Sequence, residues 1–129
     1  MALDFGGKKI TLLAAEALTT HQYRFVVQAA DGTVQMANAG TDIPLGILQN
    51  APAINEPAVV QVDGISKLVM NDAVAVGVGV KVEYVDAGDN GKGDAADTAG
   101  DLVRGYCVLA SGAEDDVGAV LLAFNRIHA

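Results

Sequence analysis

With 129 residues, the chain is long enough for one domain with a substantial core and too short for two independent cores. Its 16 acidic residues outnumber its 8 Lys and Arg residues, and the net charge of −8 argues against nucleic acid or an anionic membrane surface as a direct partner. Apolar residues make up 51% of the chain but aromatic residues only 5%. This bias toward small and β-branched side chains favours a tightly wound sheet or small barrel over a helix bundle.

The single cysteine, Cys107, excludes a disulfide within the chain and a zinc site built from cysteines. It lies in an apolar run, which predicts a buried thiol rather than a nucleophile. No apolar run reaches the roughly 18 residues of a membrane-spanning helix, and the N-terminus lacks the pattern of a secretory signal. We therefore expect the protein to be made and kept in the cytoplasm unless a particle carries it out.

The chain begins with a segment that has no periodicity. Residues 1–9 are mixed and contain glycine, which predicts an N-terminal arm in front of a single β domain at residues 10–129. Residues 10–14 are a short β-prone run. Residues 15–22 are either one or two helical turns or a loop, because so short a segment is not stable alone as a helix.

The clearest local signal is a hairpin at residues 23–37, where two β-prone runs flank Asp31-Gly32, a dipeptide that supports a tight reversal. The acidic, glycine-rich segment at residues 88–101 is predicted to be a long loop. The remaining β-prone runs predict strands at residues 45–50, 58–64, 65–70, 80–87, 103–110 and 117–127.

The two halves of the chain resemble each other. Residues 23–28 align with 80–84, 45–48 with 104–108, and 58–62 with 119–123. The pseudo-repeats span about residues 20–64 and 77–127. Two β-meanders of this kind predict a mainly β, compact barrel-like or sandwich-like domain with little helix, in which the apolar faces of the two halves close on each other.

The sequence shows no catalytic constellation. The two histidines, His21 and His128, have no neighbouring nucleophile, and neither Ser66 nor Ser111 lies in a nucleophile motif such as G-x-S-x-G. We therefore predict that the protein is not an enzyme and requires no cofactor.

One loop offers carboxylates at a spacing that raises the question of calcium. Asp86, Asp89, Asp94 and Asp97 supply hard oxygen ligands, but their spacing departs from the EF-hand pattern and Lys92 lies among them. A solvated surface loop is the favoured interpretation, with calcium binding as the alternative. The acidic run at residues 114–116 is likewise interpreted as a hydrated turn.

The order of the segments "ADGTV", "LGIL", "AVVQVDGI", "VKVEYVDAG" and "RGYCVLASGAEDDVGAVLL" resembles that of the small head-decoration, or capsid cement, proteins of tailed bacteriophages. In that family two Gly-Ile-like strands are each followed by an Ala/Gly turn and a Val-rich strand. Gly46-Ile47 matches the first strand and Gly105-Tyr106 the second, with Tyr106 in place of the usual small aliphatic residue. The resemblance covers residues 10–127.

This resemblance implies a structural virion protein that binds the outer surface of an expanded icosahedral capsid and stabilises it against the pressure of packaged DNA. It implies the major capsid protein as the partner and a homo-trimer as the assembly. The protein would be made in the host cytoplasm and end in the virion. The alternatives are a small ligand- or carbohydrate-binding β domain, with or without calcium, and another virion component such as a tail-tube or head-fibre protein.

The N-terminal arm is our candidate for capsid docking. Lys8 and Lys9 form the one basic cluster of an acidic chain, Phe5 would act as an apolar anchor, and Ile10 follows directly. An extended segment of this kind would add beside a capsid strand. The alternative is a disordered terminus without a partner.

Overall fold

The computed structural model of the chain describes residues 6–85 and 87–127. Its regular elements are ten strands and one short 3-10 turn at Ala87–Asp89, and no helix of the described part is long and apolar enough to cross a membrane. The strands are β1 (Lys9–Ala14), β2 (Phe25–Gln28), β3 (Thr33–Met36), β4 (Gly46–Leu48), β5 (Pro57–Gln61), β6 (Ile65–Val69), β7 (Gly79–Val82), β8 (Gly93–Ala95), β9 (Leu102–Leu109) and β10 (Val117–Ile127).

The first five strands close into a barrel with the order β1-β3-β2-β4-β5. All neighbours are antiparallel except β1 and β3, which run parallel at Leu13↔Thr33 and Ala14↔Val34. The predicted hairpin is confirmed: β2 pairs with β3 across the Asp31-Gly32 reversal, where Gly32 takes a φ of 71°. The left-handed backbone explains why glycine suits this turn.

The other five strands form a second sheet with the order β6-β10-β9-β7-β8. An isolated parallel bridge between Met70 and Gly93 links its two ends. Followed from β1 through its neighbour β5, the barrel has the order β1-β5-β4-β2-β3. The second sheet, followed from β6, has the same order within its unit: first, fifth, fourth, second, third. The strands aligned from the sequence therefore occupy equivalent places, with β2 matching β7, β4 matching β9 and β5 matching β10.

Each unit also contains a first strand outside the repeat bounds drawn from the sequence. β1 begins at Lys9, and β6 lies between the two repeats as they were drawn. β6 pairs with β10 from Val117↔Val69 to Leu121↔Ile65. This pairing joins segments about fifty residues apart, which local sequence patterns do not reveal.

Two hydrophobic clusters form the core. One fills the barrel and contains Val26 and Leu48; the other joins the two units and contains Phe25 and Ile47, together with buried side chains of the second sheet. All four side chains are fully buried. Because successive side chains of a strand point to opposite faces, β2 and β4 are buried on both faces. The prediction of a mainly β, barrel-like domain with little helix is confirmed.

Two local features differ from or refine the expectations. Residues 15–22 form turns and no helix, with Leu18 fully buried. The predicted loop at residues 88–101 contains a strand, because β8 pairs with β7 from Val80↔Ala95 to Val82↔Gly93. The Gly-rich, acidic composition of this segment did not indicate a strand. A Cβ at Gly93 would lie 2.5 Å from Leu68 Cδ2 and 2.8 Å from Met70 Sδ, so a larger residue there would require these buried side chains to move.

The tight contact between the units at Gly91 makes a testable prediction. Gly91 has a φ of +80°, and an added Cβ would lie 2.6 Å from Met36 Cε and 2.8 Å from the Phe25 carbonyl oxygen. Gly100 has a φ of +95° and open space around it. We expect Gly100→Ala to cost about 1–2 kcal/mol for the left-handed backbone alone. Gly91→Ala should cost a further ~1–3 kcal/mol for overpacking.

Chemical denaturation of both variants measures this difference, since they share the same substitution and the same sign of φ. Equal losses of unfolding free energy would show that the space around Gly91 is not the limiting factor.

Candidate functional site

The proposed docking residues Lys8, Lys9 and Ile10 lie at the start of β1. Along this strand Lys9 and Leu13 are exposed, whereas Ile10 is half-buried and packs against the barrel cluster. Ile10 therefore contributes to the fold, and the two lysines are the side chains displayed to solvent. Phe5 lies outside the described residues.

The chain is already tied down just before β1 begins. The Lys8 N–H donates to Asp63 Oδ1 at 2.5 Å, and the Lys8 carbonyl accepts a hydrogen bond of 2.9 Å from the Val62 N–H. A Cβ at Gly7 would collide with the Asp63 carbonyl oxygen and the Gln61 side chain. The absence of a side chain at Gly7 thus allows the backbone to pack against the β5–β6 turn. The backbone of both lysines is fixed to the barrel, Lys8 by its hydrogen bonds to Asp63 and Val62 and Lys9 by its pairing with β5.

One edge of β1 is open over its first half. Pairing with β5 runs from Lys9↔Gln61 to Leu13↔Pro57, but pairing with β3 covers only Leu13 and Ala14. The Leu13 N–H donates to Gly32 on the β3 side at 2.9 Å. Because backbone groups alternate along a strand, those of Lys9 and Thr11 face the same side. No strand of the described residues pairs with them there.

The Lys and Arg side chains whose surroundings the structure describes fall into two groups. Arg24, Lys81, Lys92 and Arg104 are half-buried or buried and bind carboxylates or carbonyl oxygens. Lys8, Lys9 and Lys67 are exposed, and Lys67 lies 5.7 Å from the centroid of the Tyr23 ring. The start of β1 therefore displays two adjacent lysines that have no ion pair with the described carboxylates.

The candidate calcium ligands do not gather around one point. Asp86 lies outside the described residues, and Asp97 is exposed beside Thr98. Asp89 instead joins Glu114 and Asp115, whose carboxylate oxygens all lie within 4.8 Å of one another. Asp94 points toward Glu83.

Lys92 partly neutralises the cluster of Asp89, Glu114 and Asp115. Its ammonium donates to Asp89 at 2.5 Å and also to Asp115, and only 4% of its side chain is exposed. Burial alone would lower the pKa of Lys92, but the hydrogen bonds to Asp115 and Asp89 raise it above its usual value. The same contact lowers the pKa of Asp115. The position between these carboxylates thus holds an ammonium group, and the sequence offered no sign that Lys92 would be buried.

A second carboxylate pair lies where β7 ends and β8 begins. Glu83 is buried, accepts hydrogen bonds from the Val85 N–H at 2.7 Å and from Asn71 Nδ2 at 3.0 Å, and faces Asp94. Burial and the neighbouring Glu83 raise the pKa of Asp94, against the opposing effects of the Ala95 N–H and Lys81. The surroundings of Asp94 therefore disfavour the ionised form of this carboxyl group.

The other candidate residues have structural surroundings. Cys107 is buried, as predicted; its thiol donates to the Leu109 carbonyl at 3.2 Å, and burial raises its pKa. His21 lies 3.2 Å from the Thr20 hydroxyl, with its pKa lowered by burial and by Arg24. Ser66 and Ser111 are buried and donate to backbone carbonyls. His128 lies outside the described residues.

One surface cleft of about 310 Å³ is present where the two units meet. Its lining includes Gly40, Lys81, Tyr84 and Asp101, and the Lys81 ammonium lies 3.3 Å from Asp101. Since the cation and the anion of this cleft already neutralise each other, it presents no unpaired charge to a ligand.

Comparison with known proteins shows a structure with a similar fold. The chain matches no protein-family model and no curated protein. It is similar to a solved structure, that of the head fiber gp8.5 N base of bacteriophage phi29, with a TM-score of 0.66 and 16% sequence identity. The similarity covers 95% of this chain and 98% of the other. At this level of identity the comparison establishes a common fold over nearly the whole of both chains.

The buried ammonium group gives a second prediction. Lys92→Met keeps the apolar stem but removes the hydrogen bonds to Asp89 and Asp115, which leaves a half-buried carboxylate unpaired. We expect a loss of about 1–3 kcal/mol in unfolding free energy, by the cost of an unsatisfied buried polar group. Lys9→Met, at an exposed lysine, should change stability by less than ~0.5 kcal/mol. A variant at position 92 as stable as the one at position 9 would contradict this role.

The carboxyl pair gives a third prediction, on pH. A carboxyl group whose folded-state pKa is raised binds protons more tightly in the folded than in the unfolded chain. The free energy of unfolding therefore falls as the pH rises from the unfolded-state pKa through the folded-state pKa. Asp94→Asn removes this cost while keeping a hydrogen-bonding group beside Glu83. We expect the variant to melt at a higher temperature than the wild type at pH 7. The difference should shrink as the pH falls below the unfolded-state pKa of the Asp94 carboxyl group. A pH-independent difference would contradict the raised pKa of Asp94.

Proposed function

We propose that this protein is a structural component of a phage virion that binds the outer surface of the capsid and stabilises it against internal DNA pressure. The observation that carries the proposal is the similarity of fold to a phage head-fibre base over 95% of the chain. The segment order that resembles head-decoration proteins agrees with this assignment. The protein would be made in the host cytoplasm and act without catalysis or cofactor.

The physical basis of the stabilisation is the linkage of several contacts. Packaged DNA pushes outward on a thin shell, so the boundaries between capsid subunits are under tension. A rigid clip that touches two or more subunits must lose several contacts at once before a boundary opens. A modest interface with each major capsid protein subunit therefore gives a high overall affinity when the contacts act together. A homo-trimer would multiply the number of linked contacts.

The start of β1 is the docking site that the structure favours. Lys8 and Lys9 extend from a closed barrel, and the adjacent backbone edge at Lys9 and Thr11 has no partner strand among the described residues. An extended capsid segment that carries acidic side chains would pair with this edge and neutralise both lysines. The docking element is therefore the edge of β1, which hydrogen bonds at Lys8 hold against the barrel, and not a loose arm.

A head-fibre base is the second candidate function, since that is what the similar structure is. The two candidates differ in what lies beyond the protein on the head. A decoration protein is itself the outer layer, whereas a fibre base needs a longer partner or domain on its outer side. Electron microscopy of heads that carry the protein distinguishes them by the presence or absence of a fibre beyond it.

The test of the proposed function is co-sedimentation with heads of the parent phage that lack this protein, before and after expansion. We expect saturable binding to expanded heads. Lys8→Gln/Lys9→Gln should weaken it about tenfold, because each exposed charge contact is worth up to ~1 kcal/mol. Gln28→Glu/Ala51→Glu changes the net charge equally at other exposed positions and should bind like the wild type. Absence of binding to either form of head would rule out the capsid role.

A matched pair of variants at Thr11 tests the strand edge separately. Thr11→Pro removes one outward N–H without breaking a bond to β5, and Thr11→Val keeps that N–H. The proline variant should lose head binding with its fold intact by circular dichroism, while the valine variant should retain it. Equal binding by both would place the docking site elsewhere.

A further inference from the structure

The outer face of the second sheet is apolar. Leu121 of β10 lies between Ile65 of β6 and Tyr106 of β9, its direct partners across the two strand pairs, so the three side chains share one face. This face is turned away from the core, since Val120 and Cys107, the next residues along the strands, belong to the buried cluster. Leu121 is 45% exposed.

The face continues toward the start of β10. A β-bulge in β9 places both Val108 and Leu109 at the surface, with exposures of 39% and 43%, and Leu109 is the partner of Ala119. Val117 is 45% exposed and pairs with Val69. Four large apolar side chains of two neighbouring strands are thus exposed together.

The charge on this face differs from that of the whole chain. Residues 65–69, 106–109 and 117–123 contain no carboxylate, and Lys67 is their one charged residue, although the chain carries a net charge of −8. Acidic residues border the face at Asp63 and at the exposed turn of residues 114–116. An apolar centre with a charged border is the arrangement of protein–protein interfaces.

We infer that this apolar face of β6, β9 and β10 is the surface through which one copy of the protein binds another. Two acidic chains repel each other wherever carboxylates meet, so a face without carboxylates is the one that a second copy approaches at least cost. Lys67 also complements the acidic turn at residues 114–116, which every copy supplies. The lysines of β1 lie on the other unit and remain free for a different partner.

This inference adds a surface to the oligomer in the proposed function, and its test uses no phage heads. The mass of the full chain is measured by sedimentation equilibrium across a dilution series. We expect the wild type to associate and Leu121→Glu to remain a monomer, because the substitution places a carboxylate at the centre of the face. Leu13→Glu, at a leucine of β1 that is 46% exposed, should associate like the wild type.

Circular dichroism and thermal melting of the same samples separate loss of association from loss of folding. If Leu121→Glu unfolds, Lys67→Glu gives a second variant on the same face, and its association should weaken at least tenfold. A wild type that stays monomeric throughout the series would overturn the inference. So would a folded Leu121→Glu or Lys67→Glu that associates as tightly as the wild type. Both measurements are made on free protein, so failure of this inference and failure of binding to expanded heads are scored separately.

Discussion

The constraint on which the rest of the structure depends is the burial of β2 and β4 on both faces. Val26 and Leu48 fill the barrel, while Phe25 and Ile47, one residue away in each strand, fill the cluster shared with the second sheet. A strand with a solvent face would alternate apolar and polar residues, and "FV" and "GIL" do not. Neither unit can therefore bury its apolar surface alone, which is why two similar halves of this chain pack into one structure.

Glycine makes this shared core possible in a chain with few large side chains. At Gly91 the second unit approaches Met36 and Phe25 of the barrel so closely that a Cβ would collide, and at Gly93 β8 comes equally close to Leu68 of β6 within the second unit. Between these glycines lies Lys92, which the close approach buries and which holds Asp89 and Asp115 together. One short segment thus packs the units against each other at Gly91 and, through Lys92, neutralises part of the negative charge of the second unit.

The sequence predicted what depends on neighbouring residues. The hairpin at Asp31-Gly32, the buried Cys107 and the equivalence of β2, β4 and β5 with later strands all follow from local patterns. The β6–β10 pairing and the strand at Gly93 were missed, because long-range register and close backbone approach leave no local period. The apolar outer face was missed for a related reason: Leu121 and Leu109 belong to runs in which both faces of the strand are apolar, so the sequence alone indicates burial for both.

The distribution of charge connects the fold to its proposed role. The net charge of −8 keeps separate copies apart and in solution. Two surfaces depart from this net charge: the lysines at the start of β1, on the barrel, and the carboxylate-free face of β6, β9 and β10, on the second sheet. The shared core packs the two units against each other, so the two surfaces belong to one packed structure. The two similar halves thus carry two unlike surfaces, for which we propose an acidic partner and another copy of the chain. That division of surfaces is what a clip requires if it is to link subunits of a shell.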